Sequence, residues 1–267
     1  MPSHAPQVMG VAYKIKRQWE IIYALMMRDI RTRYFGNSWG FFIAILWPLS
    51  HIFLLVIINT TVGRTAPFGE STALWYATGV LPFMVFNYSA RFISMGPVLN
   101  KELTVYPVVK LNDILVSRAI IEMLNAVSII ILTMIILIFF GINPFPVYPV
   151  EAFLAIGANL LLGVGFGVVN AMITCAIPGW ITGYALFSIV MWVASGVLFI
   201  PDTLPEQFRY YLSFNPSLHG VQWMRSAFYE GYGTVVLDKT YMMQFAVVCL
   251  LLGLVIERVF RGKLIGA

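Results

Sequence analysis

Charged residues are sparse along this chain, and the gaps between them set out its plan. No Asp, Glu, Lys or Arg falls between Arg33 and Arg64, Glu70 and Arg91, Glu122 and Glu151, Glu151 and Asp202, or Lys239 and Glu257. About 20 apolar residues are needed to cross roughly 30 Å of hydrocarbon. The intervals, with an apolar pattern that starts before the third of them near Asn112, predict membrane spans at 39–62, 75–97, 112–140, 152–176, 180–199 and 240–258. The interval after Glu151 holds 50 residues, enough for two spans, and Pro178-Gly179 marks the turn between them. The expected fold is an all-α membrane protein with six transmembrane helices.

Three segments are not simple spans. In 10–36, the residues Val11, Ile15, Trp19, Ile22, Met26 and Ile30 share one helical face, while Lys14, Arg17, Arg28 and Arg31 lie away from it. This predicts an amphipathic helix in the membrane interface, either a plain anchor or a lever that also touches a partner. The stretch 98–111 is a polar loop inside the bundle, read either as a solvated connection or as a short docking helix. The segment 201–232 is too interrupted for a span. Asp202, Pro205 and Glu206 suit a helix start for Leu204–Phe214. Asn215 as N-cap with Pro216 at the first helical position starts a second helix, reaching about Tyr229 and ended by Gly231 and Gly233. Val221, Met224 and Phe228 mark one face of it, and His219, Gln222, Arg225 and Tyr229 another. Each helix is about three turns, too short to cross, so the pair reads as a re-entrant hairpin and an element of a pore.

Composition supports a membrane protein. Of 267 residues, 60% are hydrophobic and 11% charged, and mean hydropathy is +0.83. A soluble domain carries about a quarter charged residues. The net charge of +5 does not point to nucleic acid, because the cations cluster by position. With both termini cytoplasmic, 13 cations fall on the inner side and four, Arg64, Arg209, Arg225 and Lys239, on the outer. That is the positive-inside bias expected in a bacterial inner membrane. The first 38 residues are too polar for a signal peptide. Cys175 and Cys249 sit in apolar runs, which excludes a disulfide framework or a CxxC metal site.

Little of the sequence suggests catalysis. There is no phosphate loop of the G-x-x-x-x-G-K-[ST] form. Gly163-Val164-Gly165-Phe166-Gly167 lies inside an apolar span and reads as close helix packing through Gly163 and Gly167. His4, His51 and His219 lack metal-ligand spacing, and His51 reads as a hydrogen-bonded interior residue. Arg118 and Glu122, one helical turn apart in the third span, read as a mutually neutralising pair. Trp39, Trp75 and Tyr76 suit an interfacial belt. Trp47, Tyr88, Trp192, Tyr210, Tyr211 and Trp223 are candidates to line a pore, since sugar CH faces stack on aromatic planes.

The segments Arg28-Asp29-Ile30-Arg31-Thr32-Arg33-Tyr34, Ser38-Trp39-Gly40 and Trp47-Pro48-Leu49 resemble the opening of ABC-2-type permeases. Trp39 stands where that family often has Leu. Asn215-Pro216-Ser217-Leu218-His219-Gly220, Arg225 and Glu230-Gly231-Tyr232 are similar to the segment before the last span in permeases that export capsular polysaccharide. The resemblance covers essentially all of 1–267 as one transmembrane domain. It implies a half-transporter that pairs with a second copy of itself and with two separate ATPase subunits. No cofactor is then expected in this chain, with ATP and magnesium on the partner. Lys101, Glu102, Thr104, Tyr106 and Pro107 would couple to the ATPase. Arg28, Arg31 and Arg33 lie where an anionic lipid linker would enter. Asn215, Pro216, His219, Gln222, Arg225 and Tyr229 would form the periplasmic gate. The cargo implied is a lipid-linked polysaccharide, passed on to a periplasmic adaptor and an outer-membrane channel. Export of O-antigen or teichoic acid, an ion-coupled transporter and an intramembrane glycan-modifying enzyme are the competing readings.

Overall fold

The computed structural model describes residues 11–35 and 40–266. His4, Ser38 and Trp39, and with Trp39 the predicted start of the first span, lie outside the described residues, as do the side chains of 34, 35, 40–45, 48 and 261–266. Among the described residues the chain is helical, with no strand. Its α-helices are α1 Val11–Ile30, α2 Gly40–Thr61, α3 Thr72–Leu99, α4 Leu111–Phe139, α5 Pro149–Ala176, α6 Trp180–Val193, α7 Glu206–Leu212, α8 Pro216–Phe228 and α9 Lys239–Gly266. Of these, α4, α5 and α9 are long and apolar enough to cross a membrane.

The centre is a stack of three helices, with α5 between α3 and α9. Glycines in α5 make the close approach possible. A Cβ on Gly163 would stand 2.6 Å from the Phe86 carbonyl oxygen of α3, and one on Gly167 would stand 2.8 Å from Ile93 Cβ. On the other face, a Cβ on Gly165 would stand 2.5 Å from the Ala246 carbonyl oxygen of α9. The glycine cluster is thus a packing device on two faces, one more than the sequence suggested.

Helix α3 is the post that joins the two ends of the molecule. It is 28 residues long, about 42 Å at 1.5 Å per residue, and Ser71 caps its start by accepting from the Leu74 amide at 3.3 Å. Its first turns meet α8, and its last meets α1 through Asn100. The α8 end and the α1 end below refer to these two poles. Trp75 and Tyr76 are buried in the core at the α8 end, which corrects the belt reading. There Trp75 lies against Arg225 instead.

Helix α1 uses its apolar face in two ways. Ile22 and Met26 pack on Ile121 of α4, whereas Val11, Ile15 and Trp19 are exposed. A π-helical turn, Arg31–Phe35, follows α1.

The predicted span at 180–199 is shorter than expected. Helix α6 ends at Val193, after 14 residues, about 21 Å. Gly196 then takes φ +76°, a left-handed conformation that side-chain-bearing residues rarely adopt. The following carbonyls turn to Arg225 rather than continuing a helix. In the hairpin segment, α7 is exposed and covers only Glu206–Leu212 of the predicted 204–214. Helix α8 starts at the predicted cap, with Asn215 Oδ1 accepting from the Ser217 amide at 3.1 Å and Pro216 at its first position. It ends before Gly231, whose φ is +74°.

Candidate functional site

Three of the six candidate pore aromatics meet in one place. Trp47 and His51 of α2, Phe83, Met84, Asn87, Tyr88 and Arg91 of α3, and Ser188, Ile189 and Trp192 of α6 line a cavity of about 290 Å³. The spacing brings 47 with 51, and 84 with 87, 88 and 91, onto single helix faces. The His51 ring meets the Trp47 ring edge-on at 5.3 Å, and its Nδ1 lies 2.9 Å from the Trp47 carbonyl oxygen. A carbonyl only accepts, so Nδ1 donates this bond. His51 is therefore hydrogen-bonded, as expected, but it lines the groove. Asn87 Oδ1 accepts from the Tyr184 hydroxyl at 3.2 Å, which leaves the amide NH2 as a donor. The groove thus combines aromatic rings with polar side chains.

The other three aromatics lie elsewhere. Tyr210 and Tyr211 are on α7, 61% and 73% exposed. Trp223 is buried in α8, and its indole donates to Glu151 at 2.6 Å. Lys239 donates to the same carboxylate at 2.6 Å and closes a triad at the α8 end.

At the α1 end the cations are tied to the protein. Arg118 Nε stands 2.8 Å from Asp29 Oδ2, and Arg33 Nη1 stands 2.5 Å from Glu122 Oε1. This corrects the expected pairing of Arg118 with Glu122. The two share a helix face, but the last turn of α1 and the π-turn bring a closer partner to each. Arg33 also lies over the Phe92 ring, its Cζ 3.7 Å from the centroid. Arg28 donates to Asn100 Oδ1 at 2.9 Å, and Gln18 donates to Asp113. Burial pushes the Asp29 carboxyl up, against the pull of Arg118, Arg28 and Arg33. Of the three cations expected to receive an anionic linker, Arg28 and Arg33 are engaged in these contacts, and Arg31 is exposed. Asp29 had no sequence signal beyond being the lone acid in a basic run.

The predicted coupling residues sit directly beside this cluster. Lys101–Val105 forms a 3-10 turn after α3 with no buried residue. Lys101, Glu102 and Pro107 are exposed, Thr104 is half-buried, and Val105 and Tyr106 are 80% and 60% exposed. Asn100 anchors the turn, donating to the Gly96 carbonyl at 2.8 Å while accepting from Arg28.

The residues expected to form a gate are brought together at the α8 end, inside the protein. Arg225 is fully buried. Its Nη1 donates to the carbonyls of Gly196 at 2.5 Å and Phe199 at 3.3 Å, and its Nη2 donates to that of Val197 at 2.7 Å. Its Cζ lies 3.5 Å from the Trp75 ring centroid. Gln222 Oε1 accepts from the Tyr232 hydroxyl at 2.6 Å, and Tyr229 packs by the same Trp75 ring. Asn215 Nδ2 donates to the Met191 carbonyl at 3.1 Å, tying the cap of α8 to α6. His219 uses both nitrogens. Nε2 donates to the Ser213 carbonyl at 2.8 Å, and Nδ1 accepts from the Asp238 amide at 3.0 Å. Burial lowers the pKa of this imidazole. The polar face of α8 that carries His219, Gln222 and Arg225 is occupied within the chain. Trp75 and Tyr232 are the partners that sequence reasoning missed, since a Trp near a span end looks like a belt residue.

The "Polysialic acid transport protein KpsM" of Escherichia coli is 29% identical over 241 residues, covering 88% of this chain and 91% of its own. The "Capsule polysaccharide export inner-membrane protein CtrC" of Neisseria meningitidis is 27% identical, covering 92% and 93%. The "Capsule polysaccharide export inner-membrane protein BexB" of Haemophilus influenzae is 25% identical, covering 91% and 92%. A family model described as ABC-2 type transporter matches residues 20–229, from the middle of α1 through the whole of α8. With most of its length under that match, groove and both poles included, this chain belongs to the ABC-2 type transporter family.

Proposed function

We propose that this chain is the permease subunit of an ATP-driven exporter that carries lipid-linked capsular polysaccharide across the bacterial inner membrane. The observation that carries this reading is the groove where Trp47, Tyr88 and Trp192 converge between α2, α3 and α6. Aromatic planes hold sugar rings through weak stacking, which lets a polymer slide. The relatives named for capsule export agree with a glycan cargo. In this reading α2, α3, α4, α5, α6 and α9 are the six membrane segments, both termini are cytoplasmic, and two copies enclose the path. The chain has no phosphate loop, so the energy comes from two nucleotide-binding subunits, which dock on Lys101–Pro107. The exposed Val105 and Tyr106 suit a protein contact there. Movement passes through Asn100 and Arg28 to α1. Helices α7 and α8 form the re-entrant hairpin that gates the outer mouth. A periplasmic adaptor and an outer-membrane channel take the polymer onward.

Affinity purification of the tagged chain from its native membrane, followed by mass spectrometry, tests this reading. A nucleotide-binding subunit at equal stoichiometry is expected. A chain that emerges stable and alone, with transport driven by a proton gradient, overturns it. A partner that carries an extra carbohydrate-binding domain would move the cargo toward O-antigen.

A further inference from the structure

Among the described residues, the groove holds one charged side chain, Arg91. A cation within a membrane helix is costly, and it usually marks a pathway or has a named partner. At the α1 end, buried Arg118 and half-buried Arg33 have theirs in Asp29 and Glu122, and even the exposed Arg28 is held by Asn100. Arg91 is exposed, and none of the ion pairs among the described residues includes it. Among the described residues, no carboxylate lines the groove to neutralise it. What surrounds it is specific. Trp47, Tyr88 and Trp192 bring three aromatic rings, and Asn87, His51 and Ser188 make up the rest of the polar lining. A guanidinium is a planar fork of five donors that matches a carboxylate through two parallel bonds. A ring face beside such a fork fits a sugar ring that bears a carboxylate.

We propose that Arg91 reads the negative charge of the passing polymer and makes this groove selective for glycans whose rings carry carboxylates. The proposal rests on the groove being the glycan path. It moves the charge-recognising role from Arg28 and Arg33, which the fold engages, to a residue inside the groove. The competing source of an anion is a lipid headgroup. Arg91 lies eight residues before Leu99, the end of α3, about 12 Å along the helix, within reach of snorkelling to the surface.

The test uses the full chain reconstituted in nanodiscs of zwitterionic lipid, with binding followed by titration calorimetry. The probes are oligosialic acid and oligogalacturonate, both carboxylated, and a neutral maltodextrin of similar length. The variants are R91Q, R91K and W192A. The carboxylated probes should bind at least about tenfold more tightly than maltodextrin, with affinity falling as salt rises. R91Q should remove that preference by weakening only the carboxylated probes, and R91K should keep part of it. W192A should weaken all three. If R91Q binds as wild type while W192A weakens every probe, Arg91 is not the reader but the groove remains the glycan path. If neither variant changes binding, the groove reading fails with the proposal. A wild type that does not favour the carboxylated probes, or that binds neither of them, overturns the proposal. So does an R91Q effect that appears only in nanodiscs containing phosphatidylglycerol, since that would make Arg91 a headgroup anchor.

Discussion

Arg225 shows how a single residue organises the α8 end. Its charge is buried, yet its guanidinium meets three carbonyls and an aromatic face, so the desolvation cost is offset by oriented dipoles. The carbonyls belong to the turn that ends α6. Lysine keeps the charge but cannot fork to all three. Arg225→Lys and Arg225→Ala should each lower the thermal unfolding midpoint of the purified protein. The expected cost is about 1–3 kcal/mol for each carbonyl left without a donor. Gly79→Ala should act through the same residue, since its Cβ would stand 2.7 Å from Arg225 Nη2. An unchanged midpoint in these variants would mean that the turn holds without its brace. His219 makes a second prediction at this scale. Its folded pKa lies below the unfolded value of about 6.5, so its stabilising contribution is complete above that pH and declines as pH falls through it. Protonating Nδ1 also removes the acceptor for the Asp238 amide. Between pH 7 and pH 5 the wild type should lose on the order of 2–4 °C more than His219→Gln. Equal losses would show that the imidazole is not the titrating group.

Among the elements, the joint between α1 and α4 links the Lys101–Val105 turn to the rest of the bundle. Asp29 with Arg118 and Arg33 with Glu122 fasten the end of α1 to α4, while Arg28 fastens it to Asn100. Removing one partner of a buried pair costs about 3–5 kcal/mol, because the other charge stays behind. Asp29→Arg alone, or Arg118→Asp alone, should therefore reduce the amount of folded protein. The double exchange should recover part of it, as read by size-exclusion chromatography of the membrane extract. No recovery in the double variant would indicate that the pair does not act as a unit. The α5 stack carries a separate prediction. Gly165→Leu would force α9 away from the Ala246 carbonyl and should cost more than the same change at Gly157, where a Cβ would meet nothing within 4 Å.

For the whole molecule, the two regions proposed to act in transport lie apart on α3. The groove faces α2 and α6 around Asn87–Arg91, and the Lys101–Val105 turn follows Leu99. Variants should separate them. Trp47→Ala with Trp192→Ala should reduce polymer export at the cell surface while the chain still co-purifies with its ATPase. Glu102→Ala with Tyr106→Ala should instead loosen ATPase stimulation and co-purification, and lower export with them, without unfolding the bundle. Export and ATPase stimulation that stay normal in the second pair would remove Lys101–Pro107 from the coupling role.

Much of this architecture was legible from contiguous residues. Uncharged intervals located the long helices, Asn215-Pro216 located the start of α8, and the stripe through Ile22 and Met26 located the face of α1. Hydropathy, capping and helical periodicity are local properties, so the order of residues determines them. Which helix face meets which neighbour depends on rotation and crossing angle, and hydropathy leaves both open. Hence Glu122 went to Arg33 rather than Arg118, Trp75 lay under Arg225 rather than in a belt, and α6 stopped six residues short of its predicted end. The same packing gathered Trp47, Tyr88 and Trp192 into one groove and left Tyr210, Tyr211 and Trp223 outside it. The sequence by itself determined an all-helical chain with apolar helices and a resemblance to one transporter family. Only the tertiary structure decided which cations are engaged and which one, Arg91, lines the groove, because that depends on partners far apart in the chain.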